Sequence, residues 1–209
     1  MELGGKPFFI SALDIDSIIW NLSADGAISA PLLTQSAQQA LLQEAESCCY
    51  QPEVKTIGTV DRLVRTEYSA CNQFSETSLF LEFQQAFQVL MDEACDRLEV
   101  YPFSTRLQFN ELVLQRYLPG QLGITPHRDS LRAINLIALV NLGGQAELYR
   151  CSDRQGANAV QLDTTPGNVI FLRAPGFLNA TDRPFHLLTN IRSPRYSLGL
   201  RQQVERPSQ

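Results

Sequence analysis

From Tyr101 onward the chain breaks into short alternating or wholly apolar runs separated by Gly, Pro and Asn, with no helical stretch between them. The runs 111–117, 133–141, 145–150, 158–162, 167–173, 184–190 and 195–201 read as strands. Turns are signalled at Pro119-Gly120, Gly143-Gly144, Pro166-Gly167 and Pro175-Gly176. Parallel neighbours in a sheet need a crossover of a dozen or more residues, usually a helix, and the lack of one between these runs argues against an α/β sheet. Closely spaced antiparallel strands instead close on themselves. The spacing predicts a mainly β fold, a double-stranded β-helix or jelly roll.

The first hundred residues have a different texture and are expected to be mostly helical support for the jelly-roll core over 101–209. Two helices are predicted. One begins with Pro31 in its opening turn and runs through Leu32-Leu33, Ala37, Ala40-Leu41 and Glu44-Ala45 to Cys48. The other spans 75–98, with Phe80, Phe83, Phe87, Leu90 and Ala94 on one face. No repeat, low-complexity tract or linker interrupts the chain, so 1–209 reads as one domain. There is no run of eighteen apolar residues, and Met1 to Asp16 lacks the basic and apolar regions of a signal peptide. The five cysteines, Cys48, Cys49, Cys71, Cys95 and Cys151, form neither a Cys-x-x-Cys pair nor an even set. Reduced thiols and a cytoplasmic location are expected.

Only two histidines occur in the chain, and their placement carries the chemistry. His127 lies in Pro126-His127-Arg128-Asp129, and His186 follows 57 residues after Asp129. Residues two apart on extended backbone face the same way, so His127 and Asp129 can reach one ion together. A His-x-Asp pair with a distant His is the ligand set of the 2-His-1-carboxylate facial triad, which holds Fe(II) and leaves positions open. These three ligands by themselves also suit a zinc hydrolase or a metal-binding cupin. His-Arg-Asp invites a protein-kinase reading as well. That motif needs Asn five residues after Asp, where Ile134 stands, and there is neither a glycine-rich loop nor an Asp-Phe-Gly.

The segment 195–201 alternates: Arg195, Ser197, Gly199 and Arg201 on one face, Tyr196, Leu198 and Leu200 on the other. If the apolar face packs on the helices, two arginines point into the barrel, where they require anionic partners. A dicarboxylate and Asp129 would serve, since guanidinium holds carboxylate in bidentate fashion. The reverse arrangement, with both arginines in solvent, satisfies the same alternation. Gln115 and Tyr117 share a face of their own strand and can offer hydrogen bonds to the same ligand.

Taken together, Gln115 to Gly120, His127-Arg128-Asp129, Pro166 to Ile170, His186 and Arg195-x-Ser197-x-x-x-Arg201 resemble the 2-oxoglutarate/Fe(II) dioxygenases, and most nearly their AlkB-like branch. The resemblance covers roughly the last hundred residues. It implies that His127, Asp129 and His186 ligate iron and that Arg195, assisted by Tyr117, anchors the C5 carboxylate of 2-oxoglutarate. Arg201 would lie by the C1 carboxylate and Asp129. Molecular oxygen would be consumed, succinate and CO2 released, and a substrate C–H hydroxylated, or a methyl group lost where the carbon was attached to nitrogen. Gln115 and Ser197 stand where the family has asparagines, and both keep hydrogen-bonding capacity. Leu131 replaces an acidic residue that nucleic-acid repair members often use against the damaged base.

Charge bears on the substrate. Residues 1–100 hold 5 basic and 15 acidic side chains, whereas 101–209 hold 12 basic and 7 acidic, and all twelve basic residues there are arginines. The acidic whole disfavours bulk polyanion binding, though a local basic groove stays open. The expected function is oxidation of a small molecule or protein side chain. An AlkB-like DNA or RNA demethylase comes second, and a non-catalytic jelly-roll protein that binds a metal or small acid comes third. The mouth of the barrel is expected among 50–75, 130–135 and 173–183, where Arg128, Arg132, Arg173 and Arg183 read as surface solvation.

Overall fold

A computed structural model describes residues 8–10 and 13–204. The stretch 1–16, read above for a leader, lies partly outside them. In chain order the elements are α1 (Ile15–Asp25), β1 (Ala27–Pro31), α2 (Gln35–Ser47), β2 (Gln51–Pro52), β3 (Lys55–Ile57), β4 (Val64–Glu67), β5 (Ser69–Cys71) and α3 (Leu79–Cys95). There follow β6 (Glu111–Tyr117), β7 (Gly123–His127), β8 (Ala133–Gly143), β9 (Glu147–Cys151), β10 (Val160–Leu162), β11 (Asn168–Arg173), β12 (Phe185–Thr189) and β13 (Arg195–Gln203). A seven-stranded sheet runs β1-β11-β8-β13-β6-β5-β2, and a six-stranded sheet runs β10-β9-β12-β7-β4-β3, with every pairing antiparallel. This is the jelly-roll architecture expected from the strand spacing.

The large sheet is buried on both faces, which is why β8 reads as a continuous apolar run from Leu136 to Val140. Leu136, Ala138, Val140 and Leu142 of β8, Val169 and Phe171 of β11, and Leu198 and Leu200 of β13 join the helices in one core. The alternate residues Ile137, Leu139, Ile170 and Leu172 face the small sheet, where they meet Ile124, Leu148 and Leu188. In α3, Phe80, Phe83, Phe87, Met91 and Ala94 are buried, so Met91 takes the inward position expected of Leu90, which is only partly buried. Phe87 stacks on Phe83, Phe109 and Phe171, tying the helix to the sheet. Glu44 of α2 accepts from the Leu79 backbone N–H (3.0 Å), so its carboxylate sits at the positive end of α3.

Two expectations are corrected. Three helices, not two, brace the sheet. The missed one, α1, has Asp14 as N-cap, accepting from the Ser17 N–H (3.1 Å), and left-handed Gly26 as C-cap. The first hundred residues are also not mostly helical support, because β1 to β5 lie there and extend both sheets. Those strands are two to five residues long, too short for alternation to register, and β1, β4 and β5 join the sheets through partners distant in sequence. Pro31 ends β1, pairing with Asn168, and α2 starts later, capped by Thr34. No helix among the described residues is long and apolar enough to cross a membrane.

Candidate active site

The gap between the two sheets opens at one end into a cavity of about 400 Å³, lined by residues from both. On the small-sheet side β7 and β12 pair so that His127 and His186 stand directly opposite each other. Their ring centroids are 4.2 Å apart. The register slips between this pair and Leu188–Ile124, beside Pro126, which has no N–H to give the ladder. Asp129 lies two residues past the end of β7, and its Oδ2 is 3.5 Å from His186 Nε2. The sequence separation of 57 residues is thus closed by one strand pairing.

Each imidazole is oriented by the backbone. His127 Nδ1 is 3.0 Å from the Thr125 carbonyl oxygen and His186 Nδ1 is 3.4 Å from that of Pro184. With Nδ1 donating its hydrogen, Nε2 keeps a free lone pair, as metal-ligating histidines require. Burial, with His186 alongside, lowers the His127 pKa to about 3, and burial likewise depresses His186, so both rings are neutral at pH 7. Burial alone would raise the Asp129 pKa. The Arg201 guanidinium, together with the two histidines, outweighs that effect and holds the carboxyl well below the usual carboxylate range. Arg201 Nε and Nη2 both lie 3.1 Å from Asp129 Oδ1. The other oxygen, Oδ2, is buried without a hydrogen-bond partner.

Two neutral imidazoles, an ionised carboxylate and one orphaned carboxylate oxygen match the donor set for a divalent ion such as Fe(II). The shell is not fully drawn together: among the described residues no three such side chains already stand at ligating distances.

Facing the histidines across the cavity is β13. Its interior face carries Arg195, Ser197, Gly199 and Arg201, while Leu198 and Leu200 enter the helix-side core. The structure therefore selects the inward-arginine arrangement of the two that alternation permits. Register pairs Arg195 with Tyr117 and Ser197 with Gln115 of β6, and all four line the cavity. A Cβ at position 199 would meet Arg201 Nη1 at 2.9 Å, so glycine leaves room for that side chain.

The two arginines differ in their partners. Arg201 has Asp129 and, at 3.8 Å, Glu111. Arg195 is 2% exposed and makes no ion pair among the described residues. Its Nε is buried and unpaired, and its guanidinium carbon lies 5.6 Å from the Tyr117 ring centroid. Burial pulls its pKa down to about 10, which still leaves it a cation at neutral pH. A buried unpaired cation is costly, and a carboxylate entering the cavity would relieve it.

Some lining residues escaped the sequence reading. Tyr68 packs on Tyr117 (5.2 Å between centroids) and faces Gln115, while Ile57, Val64 and Thr66 of the β3–β4 hairpin form the outer wall. Their short strands carry no motif, and only the pairing of β4 with β7 brings them to the site. Among the expected mouth residues, Arg173 instead has a structural role, donating to the carbonyls of Leu22 (3.1 Å) and Ser23 (2.7 Å) at the end of α1.

No protein-family model matches the chain, and no curated protein matches it in sequence. Solved structures do. A prolyl-4-hydroxylase from Pseudomonas putida superimposes with a TM-score of 0.65 at 14% identity, covering 91% of this chain and 99% of that one. A prolyl hydroxylase from Trichoplax adhaerens, in complex with a hypoxia inducible factor peptide fragment, gives 0.65 at 15% identity, covering 90% and 88%. An oxidoreductase of the 2OG-Fe(II) oxygenase family from Burkholderia pseudomallei gives 0.60 at 11%, covering 94% and 96%. The chain has the double-stranded β-helix fold of these oxygenases.

Proposed function

We propose that the protein is an Fe(II)- and 2-oxoglutarate-dependent dioxygenase that hydroxylates a small molecule or a protein side chain. The observation that carries this reading is Arg195, a buried cation without an ion-pair partner among the described residues, facing His127, Asp129 and His186 across one cavity. His127 Nε2, His186 Nε2 and an Asp129 oxygen would hold the metal. Arg201 keeps Asp129 ionised and aims it. Arg195, with Tyr117 at its side, would fix the far carboxylate of 2-oxoglutarate, and Gln115 and Ser197 offer hydrogen bonds between these ends. Ile124, Leu139, Leu148 and Leu188 make the remaining wall apolar and exclude water. When bound, Fe(II) and 2-oxoglutarate supply activation of molecular oxygen and oxidation of a substrate C–H, with release of succinate and CO2.

The peptide-bound prolyl hydroxylase among the similar structures favours a protein side chain as the target. The AlkB-like assignment rests on sequence motifs, and a nucleic-acid demethylase is the second reading, favoured by the basic second half of the chain. Leu131 counts against it: it is exposed and apolar where a repair enzyme often has an acid. All five cysteines are free, in keeping with a reducing cytoplasm.

Anaerobic addition of Fe(II) and then 2-oxoglutarate should produce a weak visible charge-transfer band, and air should then yield succinate without added substrate. If wild type and His127→Ala are equally inert in both assays, the protein is a non-catalytic binder instead.

A further inference from the structure

Beside the cavity the chain gathers three further arginines, and the one carboxylate that acts on Arg183, that of Asp129, is already held by Arg201. The guanidinium carbons of Arg128 and Arg154 lie 4.0 and 5.4 Å from the centroid of one ring, that of Phe185, the residue before His186. Arg183 donates from Nη1 to the backbone carbonyl of Asp129 and is close enough to Arg128 and Arg154 for their charges to oppose its own. None of the three forms an ion pair among the described residues.

Their neighbours show that this is not a general feature of the region. In the adjoining cleft Arg150 holds Asp25 and Arg173 holds Asp182, each at 2.6 Å, so both acids are already engaged. Asp153, next to Arg154 in sequence, accepts instead from the backbone N–H groups of Gln155 and Ala157. Arg154 Nη1 is buried and has no hydrogen-bond partner at all. Converging like charges with an orphaned buried donor raise the energy of the empty arrangement, and an anion placed among them lowers it.

We propose that Arg128, Arg154 and Arg183 form a seat for a compact anionic group, a carboxylate or phosphate, carried by the primary substrate. Arg128 lines the catalytic cavity itself, so an anion held there would place the rest of the substrate over the histidines. The seat is a single cluster rather than a stripe, and the first hundred residues are strongly acidic, which favours one small anion over a polyanion. This inference rests on the dioxygenase reading for what the seat delivers, but anion binding can be measured without turnover.

The test is calorimetric titration of inorganic phosphate, at constant ionic strength, into the metal-free wild type, Arg154→Gln, Arg183→Gln and Arg195→Met. Affinity should fall about tenfold or more in Arg154→Gln and Arg183→Gln, as expected for losing a charge-assisted pair, and persist in Arg195→Met. No phosphate binding by the wild type would overturn the proposal, as would loss confined to Arg195→Met. Tight oligonucleotide binding with a steep salt dependence would overturn its small-anion form. In a turnover screen, acids should stimulate succinate release while their amides do not, and Arg154→Gln should remove that preference by raising KM. Uncoupled succinate formation by a wild type that binds no phosphate would overturn the seat and leave the dioxygenase reading standing; phosphate binding without any turnover would do the reverse.

Discussion

The two faces of the seven-stranded sheet are made by the same strands and do opposite things. Toward the helices β13 presents Leu198 and Leu200, fully buried in a continuous apolar core. Toward the small sheet, one residue away each time, it presents Arg195, Ser197 and Arg201. The first face is optimised for burial; the second holds a buried cation that has no ion-pair partner among the described residues. The period-two alternation of a strand lets one segment serve both, provided its register is fixed by the apolar side. Stability and chemistry should therefore separate cleanly by face.

The largest expected effect is on the helix side. Phe87→Ala removes a ring stacked on three others and should cost about 3–5 kcal/mol in urea unfolding. Its activity per folded molecule should stay near that of wild type. Next comes His186→Ala on the cavity side, with the opposite pattern: uncoupled succinate formation should fall by more than about 100-fold, while the unfolding midpoint changes little. Equal losses of stability in both variants would erase the distinction between faces.

Arg195→Met sharpens it further. Binding of 2-oxoglutarate should weaken by about 2–4 kcal/mol, seen as a KM raised roughly 30-fold or more. Removing an unpaired buried charge should at the same time leave Tm equal to or above that of the wild type. A lower Tm would mean that Arg195 is structural.

The effect that is smallest at neutral pH, and grows only on acidification, is one of protonation. In the metal-free protein the His127 pKa is depressed to about 3 from an ordinary value near 6.5. Between these values the unfolded chain binds a proton that the native one does not. Stability is therefore full above pH 6.5 and declines as pH falls toward 3. Thermal melts across that range should show the decline, and His127→Gln should flatten it.

Much of the core was legible before the structure. The run 111–117 coincides with β6, and 167–173, 184–190 and 195–201 each fall within about two residues of β11, β12 and β13. These strands are long, apolar and bounded by turn residues such as Gly144, whose positive φ and approach to Pro194 leave no room for a side chain. The histidines, Asp129 and the arginine face were visible for a similar reason: scarce residue types at fixed spacing on alternating backbone. β1 to β5 were not, nor was β7 assigned as a strand in its own right. Lys55-Thr56-Ile57 pair with the nearby Val64 to Thr66, and this short hairpin joins the sheet only through the pairing of β4 with the distant β7.

What the sequence determined by itself is the local alternation and the inventory of donors: two histidines, one aspartate and two arginines at strand spacing. Which way the arginine face points, and that His127 and His186 meet, were decided by tertiary structure. Alternation is indifferent to facing, and only the burial of Leu198 and Leu200 beneath the helices breaks the tie. The clustering of Arg128, Arg154 and Arg183 around Phe185 was likewise invisible in one dimension. Charges separated by tens of residues acquire a shared field only once strand pairing has brought them together.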